Sequence, residues 1–247
     1  SSTTTPPGTY TVMVAERDPK YVATSVDLQA EWFATGGVTG VAPSKYSLLT
    51  FEFKGDEPYP VVIVPGILGS AEVDGEWVLD PITHIYDNLV ETLDLNGYTL
   101  EQDLFTFPYD WRNSNVDTAH LLRDKINAIQ SLCHCQKVDI VAHSMGGLVS
   151  RQYIQSSEYE NDVNHVVFLG TPHLGAPKAY LMWEAGDFDS DAVSLILKFI
   201  LTLESFENGY ANLFEYIRGS PIPSVRELLP VYSYLFDENS QLKIYPN

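Results

Sequence analysis

The chain has 247 residues, 45% of them hydrophobic and 19% charged, which is enough apolar material for one sizeable core and excludes a disordered tail or a miniature scaffold. With 14 basic against 33 acidic residues the formal charge is −19, and a surface that acidic repels phosphate backbones, so nucleic acid is not an expected partner.

Residues 1–8 are all Ser, Thr, Pro and Gly and read as a linker, with neither the basic start nor the apolar centre of a signal peptide. Such linkers favour an extracellular or cell-envelope location. Residues 9–58 read as a small β-rich lead-in, in which Tyr10–Val14 and Leu48–Phe53 alternate apolar and polar around a Gly36-Gly37 turn. After Pro58 and Pro60 the rhythm changes to short apolar strands separated by amphipathic helices, the pattern of a parallel sheet covered on both faces. Residues 59–177 form this expected core. Its strands are Val61–Val64, Leu104–Phe107, Val138–Val141 and His165–Leu169. Its helices lie near Ile85–Leu95, Asp117–Leu132 and Met145–Ser156, with Leu121, Leu122, Ile126 and Ile129 assigned to one buried helix face. From Lys178 to Leu229 the text is helix-like, and residues 178–247 read as a cap.

One turn carries chemistry. In Ile140-Val141-Ala142-His143-Ser144-Met145-Gly146-Gly147 an apolar strand runs into a small-x-Ser-x-Gly turn that opens a helix. A tight strand-to-helix turn holds its serine in a strained conformation and exposes the hydroxyl above the sheet, while the small residues Ala142 and Gly146 avoid clashes with neighbouring backbone. The Met145 N–H, in the first turn of that helix, can then meet the oxyanion formed when Ser144 attacks a carbonyl. A helix-capping serine is the plainer alternative. Upstream, Val61–Val64 ends in Pro65-Gly66-Ile67-Leu68-Gly69-Ser70, where a second oxyanion amide, that of Ile67, is expected.

These two segments, with Tyr109-Asp110-Trp111-Arg112 and Gly170-Thr171-Pro172-His173-Leu174-Gly175-Ala176-Pro177, resemble the α/β-hydrolase lipases of the lecithin:cholesterol acyltransferase and phospholipid:diacylglycerol acyltransferase-like family. The likeness runs from about Tyr59 to Tyr245, and Leu228–Tyr232 also matches family text. The resemblance implies an α/β-hydrolase fold, a mostly parallel sheet with helices on both faces and a helical cap. It implies Ser144 as nucleophile, Ile67 and Met145 as oxyanion amides, lipid acyl esters as substrates, and no metal or organic cofactor.

A serine nucleophile needs a base within hydrogen-bond reach, and none of the six histidines is an evident one. His143 is expected to point away from its neighbour. His134 and His165 sit at strand starts, five residues or about 16 Å from the serine edge. His120 is placed on a helix running back from that edge, which leaves His84 and His173. In the family the acid and the histidine come later, after two further strands, whereas no histidine follows His173. The chain is therefore expected to lack its last strands, and its own C-terminal segment becomes a candidate partner as a second polypeptide.

The remaining features carry plainer expectations. Trp111 lines an acyl groove, or Asp110 and Arg112 pair to fix a loop. Cys133 and Cys135, one residue apart, are expected as unbridged thiols, and Cys133-His134-Cys135 supplies too few ligands for zinc. The apolar run 192–203 is too short to span a bilayer and contains Lys198, so the chain reads as soluble and the run as a helix buried in the cap rather than a lid that meets lipid. The expected function is a lipase- or phospholipase-type serine hydrolase or O-acyltransferase. A carboxylesterase for small esters and a non-catalytic binding module are its rivals.

Overall fold

The computed structural model describes residues 9–15, 46–52, 59–219, 222–239 and 241–243. It divides into two units, Ser1–Pro58 and Tyr59–Asn247. In the first, β1 (Thr9–Ala15) and β2 (Tyr46–Glu52) pair antiparallel with Val12 opposite Leu49. The expected linker and the Gly36-Gly37 turn lie outside the described residues.

The second unit is built on a four-stranded parallel sheet. Its strands are β3 (Val61–Val64), β6 (Leu104–Thr106), β7 (Val138–His143) and β8 (Val163–Leu169), in the spatial order β6-β3-β7-β8. Every residue of β3 is buried, as its unbroken Val-Val-Ile-Val text requires of a strand covered on both faces. Alternation divides the sheet between two cores. Val62, Val64, Phe105 and Ile140 face α2 (Asn115–Cys133) and α3 (Met145–Gln155). Val61, Ile63 and Leu104 face α1 (Asp87–Leu95), through Leu89, Val90 and Leu93.

Two differences from the sequence expectation concern α2. Leu122, Ile126 and Ile129 are buried, but Leu121 is half exposed, because consecutive helical positions are about 100° apart and the seam follows 122, 126 and 129. Cys133 and Cys135 form a disulfide with their Cα atoms 5.2 Å apart. His134 between them ends the helix in the left-handed region (φ 54°, ψ 29°), which folds the chain back and brings both sulfurs to one side.

Between β3 and α1 the chain forms an additional hairpin, β4 (Ser70–Val73) and β5 (Glu76–Leu79), closed by Asp74 and Gly75 at φ 53° and 86°. Two positive φ values are what a tight hairpin turn demands of its central residues. After β8 come α4 (Pro177–Ala185), α5 (Ala192–Glu207), α6 (Leu213–Gly219), α7 (Pro223–Glu227) and a short pairing of β9 (Leu235–Phe236) with β10 (Leu242–Lys243). Helix α5 is not enclosed as expected. Leu197 and Leu201 are buried, but Leu195, Phe199, Leu203 and Phe206 are exposed, because the three other cap helices, all shorter, leave one side of it uncovered. Among the described residues no helix is long and apolar enough to cross a membrane.

Candidate active site at the sheet's switch point

Strand order decides where a ligand can enter. After β3 the chain crosses by α1 to β6 on one side, and after β7 it crosses by α3 to β8 on the other. Adjacent strands whose exits diverge leave a crevice at their C-terminal ends. The loop after β3 holds Gly66 and Ile67, and the turn after β7 holds Ser144, so the tertiary structure brings these two segments to the same crevice.

Ser144 lies between β7 and α3 at φ 51° and ψ −124°, a conformation that costs a non-glycine residue about 1–3 kcal/mol and persists only where surroundings over-determine it. Here its N–H donates to the Leu169 carbonyl of β8 at 2.9 Å, and its own carbonyl accepts the Gly147 N–H at 3.1 Å. Helix α3 is pressed against the end of β3, because a Cβ on Gly146 would stand 2.3 Å from the Val64 carbonyl oxygen. Gly147 is as crowded, its notional Cβ falling 1.9 Å from Thr171 Oγ1.

The loop after β3 closes on the serine from the other side. A Cβ on Gly66 would lie 2.7 Å from Ser144 Cβ, so only glycine lets the loop approach this closely. Leu68 further along adopts φ 59°. Both polar atoms of the Pro65–Gly66 peptide are taken, since Tyr109 Oη donates to the Pro65 carbonyl at 2.8 Å and the Gly66 N–H donates to Tyr86 Oη at 2.9 Å. The next amide, that of Ile67, makes no hydrogen bond among the described residues. The Met145 N–H belongs to the first turn of α3, where helical amides lack intrahelical acceptors. The segments on either side of Ser144 thus each carry a main-chain amide without an acceptor among the described residues.

Tyr86 was not among the residues singled out from sequence, and no periodicity marks it. Its hydroxyl stands 2.6 Å from His143 Nδ1, and its N–H donates to Asp80 Oδ2 at 3.0 Å. Burial pushes both the Tyr86 and Tyr109 hydroxyls far above the ordinary phenol range. Burial also holds His143 below the usual imidazole value, against a smaller opposing pull from Asp80. The phenols stay protonated and the imidazole neutral, which suits Tyr86 as donor to Nδ1.

Among the described residues no histidine hydrogen-bonds Ser144 Oγ. His84 Nδ1 lies 3.1 Å from Asp87, His120 Nδ1 2.8 Å from Glu158, and His165 Nδ1 3.2 Å from Asp139. His173, in the loop after β8, takes Arg151 Nη1 at 3.3 Å on its carbonyl and packs edge-on against Phe168.

Beside the Gly66–Ser70 loop lies a cavity of about 420 Å³ whose walls include Leu68, Ala71, Trp77, Trp111 and Ile200. Trp111 and the Asp110–Arg112 pair both contribute to it. Arg112 stacks on Trp111 with its guanidinium carbon 4.4 Å from the ring centroid, and it bonds Asp110 Oδ1 at 2.9 Å and Glu204 Oε2 of α5 at 2.9 Å. Burial pulls Arg112 down, but the two carboxylates outweigh it and hold the side chain above its ordinary value. The same Glu204 accepts from Tyr216 of α6 at 3.2 Å, and burial, reinforced by that carboxylate, raises the phenol to about 12. Among the described residues no group of three His, Cys, Asp or Glu could hold a metal ion.

Comparison with known proteins follows these motifs. Residues 66–205 match the family model described as lecithin:cholesterol acyltransferase. Phospholipase A(1) LCAT3 of Arabidopsis thaliana is 30% identical over 158 residues, 59% of this chain and 33% of that protein. GPI inositol-deacylase of Aspergillus oryzae is 28% identical over 181 residues, 61% of this chain and 16% of that protein. The chain thus spans a third or less of these relatives' length. Among solved structures, the mature form of Bacillus licheniformis lipase BlEst2 is similar at 19% identity and a TM-score of 0.43, over 71% of this chain and 62% of that one.

Proposed function

Because the chain belongs to the lecithin:cholesterol acyltransferase family, with its α/β-hydrolase fold, we propose that it forms the nucleophile-bearing part of a lipid acyl-ester hydrolase or O-acyltransferase acting through an acyl-Ser144 intermediate. The observation that carries the proposal is Ser144 at φ 51° in the switch-point crevice, with the Gly66 loop against its side chain. In this reading Ser144 Oγ attacks the ester carbonyl carbon and the carbonyl oxygen takes the negative charge. The Ile67 and Met145 amides bind it, and the alcohol leaves with the proton taken from Ser144. Water or a lipid alcohol then releases the acyl group, so hydrolysis and transfer differ only in the second acceptor. A phospholipase and an inositol-deacylase among the relatives support a lipid ester as substrate, and the cavity beside the oxyanion loop, walled by Leu68, Trp77, Trp111 and Ile200 together with the charged Glu72, Asp110, Arg112 and Glu204, supports an occupant with both apolar and polar parts, as such an ester has.

The base belongs, in this proposal, to polypeptide other than these 247 residues, because the structure gives none of the six histidines a bond to Ser144. The Cys133–Cys135 disulfide supports an extracellular or cell-envelope location, where such bonds persist. A fluorophosphonate read by intact mass is the test. The full-length protein should label at Ser144, Ser144→Ala should not, and the isolated 247-residue chain should label slowly. Labelling of Ser144→Ala would place the nucleophile at another residue, and an inert full-length protein would favour the second reading, a binding module that keeps the turn as scaffold.

A further inference from the structure

We propose that Tyr86 is a positioning residue for the reaction at Ser144, a phenol that locks the loop carrying the Ile67 amide to the turn carrying the nucleophile. The inference rests on the reading of Ser144 as nucleophile. It starts from connectivity, since Tyr86 precedes α1 while Gly66 follows β3 and His143 ends β7, and one oxygen atom touches all three segments. Tyr86 Oη accepts from the Gly66 N–H at 2.9 Å and stands 2.6 Å from His143 Nδ1. In the neutral tautomer that carries its proton on Nε2, Nδ1 accepts the hydroxyl proton. The bonds then run one way, from the Gly66 amide through the phenol to the imidazole, and each polarises the next.

The lock acts on the part of the backbone that matters. Gly66 is one residue before Ile67, and His143 is one before Ser144 and two before Met145. With the Pro65 carbonyl held by Tyr109 at 2.8 Å and the Gly66 N–H held by Tyr86, the Pro65–Gly66 peptide plane cannot rotate. The direction of the following amide is set with it. Tyr86 is itself fixed. Its ring lies beneath Gly69, whose notional Cβ would fall 3.0 Å from Tyr86 Cε2, and its N–H is held by the buried Asp80. Asp80 in turn donates its N–H to the Gly69 carbonyl at 3.0 Å. No other side chain among the described residues hydrogen-bonds both the Gly66 loop and β7. Amides that must meet an oxyanion to within a few tenths of an ångström need such a restraint, because a preorganised donor loses most of its effect when misdirected.

The experiment is steady-state ester turnover by the full-length protein and its variants, with thermal unfolding and fluorophosphonate labelling of each. Tyr86→Phe keeps the ring and removes only the hydroxyl. Its kcat should fall about ten- to a hundredfold with KM unchanged, and labelling should slow by a similar factor. His143→Asn, whose side-chain amide can stand near Nδ1 as an acceptor, should keep most of the activity, whereas His143→Leu should fall with Tyr86→Phe. The double variant Tyr86→Phe/His143→Leu should be no worse than either alone. Wild-type kcat in Tyr86→Phe, a loss confined to KM, or losses that multiply in the double variant would overturn the proposal. Should Tyr86→Phe not fold, the contrast between His143→Asn and His143→Leu decides alone. Ser144→Ala separates the two readings, because turnover surviving in that variant rejects Ser144 as nucleophile, while a dead Ser144→Ala beside an unimpaired Tyr86→Phe rejects only the positioning role.

Discussion

At the serine edge of the sheet the backbone is packed so closely that Gly66, Gly146 and Gly147 leave no room for a Cβ, whereas in the cap Leu195, Phe199 and Phe206 of α5 stand exposed. The two regions are also held differently. The edge is fixed by main-chain bonds and phenols, such as Ser144 N–H to Leu169 and Tyr109 to Pro65. The cap is laced by charged pairs within itself, Lys178 with Asp191, Lys198 with Asp187 and Arg218 with Glu184, and the partly buried pair of Arg112 with Glu204 joins it to the core. Main-chain contacts at close range define positions to fractions of an ångström, while long charged side chains tolerate movement. One region is built for geometry and the other for adaptation.

Substitutions can break that contrast, and the largest effect belongs to Ser144→Ala. Ester turnover of the full-length protein should fall roughly a thousandfold or more, as it does when an activated nucleophile is lost. Thermal unfolding should barely move, since no other residue among those described bonds the hydroxyl; a large loss of stability would mean that the serine is a structural cap.

Next comes Gly146→Ala. The added methyl falls 2.3 Å from the Val64 carbonyl oxygen and 2.4 Å from that of Pro65, and both are backbone atoms that cannot turn aside. Overpacking of this kind costs about 1–3 kcal/mol, read as a lower denaturation midpoint together with loss of fluorophosphonate labelling. The matching change in the cap is Gly209→Ala, where φ is +76° but nothing lies within 4 Å. It should cost only the backbone strain, about 1 kcal/mol, and leave labelling intact. Equal effects at the two glycines would erase the distinction between the regions.

Arg112→Met should sharpen it. Losing the bonds to Glu204 and Asp110 removes the charged tie between the core and α5, at about 1.5–3 kcal/mol for bonds to charged groups in a partly buried setting. Hydrogen exchange should then quicken in α5 and α6 while β3 and β7 keep their protection.

The smallest effect concerns Asp191, the N-cap of α5. Burial raises its carboxyl, but Lys178 and Ser194 outweigh that and hold it at about 2, below its ordinary value of 3.8. A depressed carboxylate adds stability that is complete above its unfolded pKa and is lost as pH falls through the folded one. The wild type should therefore lose stability relative to Asp191→Asn between about pH 4 and pH 2, and the two should run parallel at neutral pH. A constant difference over the acid range would show that the cap acts only as a hydrogen bond.

Local text announced much of this molecule. Four apolar strands and a serine turn could be read because a strand buried on both faces has a distinctive composition and a tight turn needs small neighbours. The β4–β5 hairpin also carried its signal in the Asp74-Gly75 dipeptide. Leu121 and α5 went otherwise because apolar character says that a residue can be buried, while the partner that buries it comes from elsewhere. The disulfide depended on the left-handed turn at His134, which residue spacing does not reveal.

The sequence by itself determined the order of strands and helices, the position of Ser144 on a strand-to-helix turn, and the kind of chemistry to look for there, because each of these follows from residues adjacent in the chain. Only the tertiary structure decided that β3 and β7 are neighbours, that their exits diverge to open a crevice, and that Tyr86 bridges Gly66 and His143 across separations of 20 and 57 residues. Strand order and hydrogen bonds of that reach arise when distant apolar faces find a common core, and no local pattern encodes which faces those are.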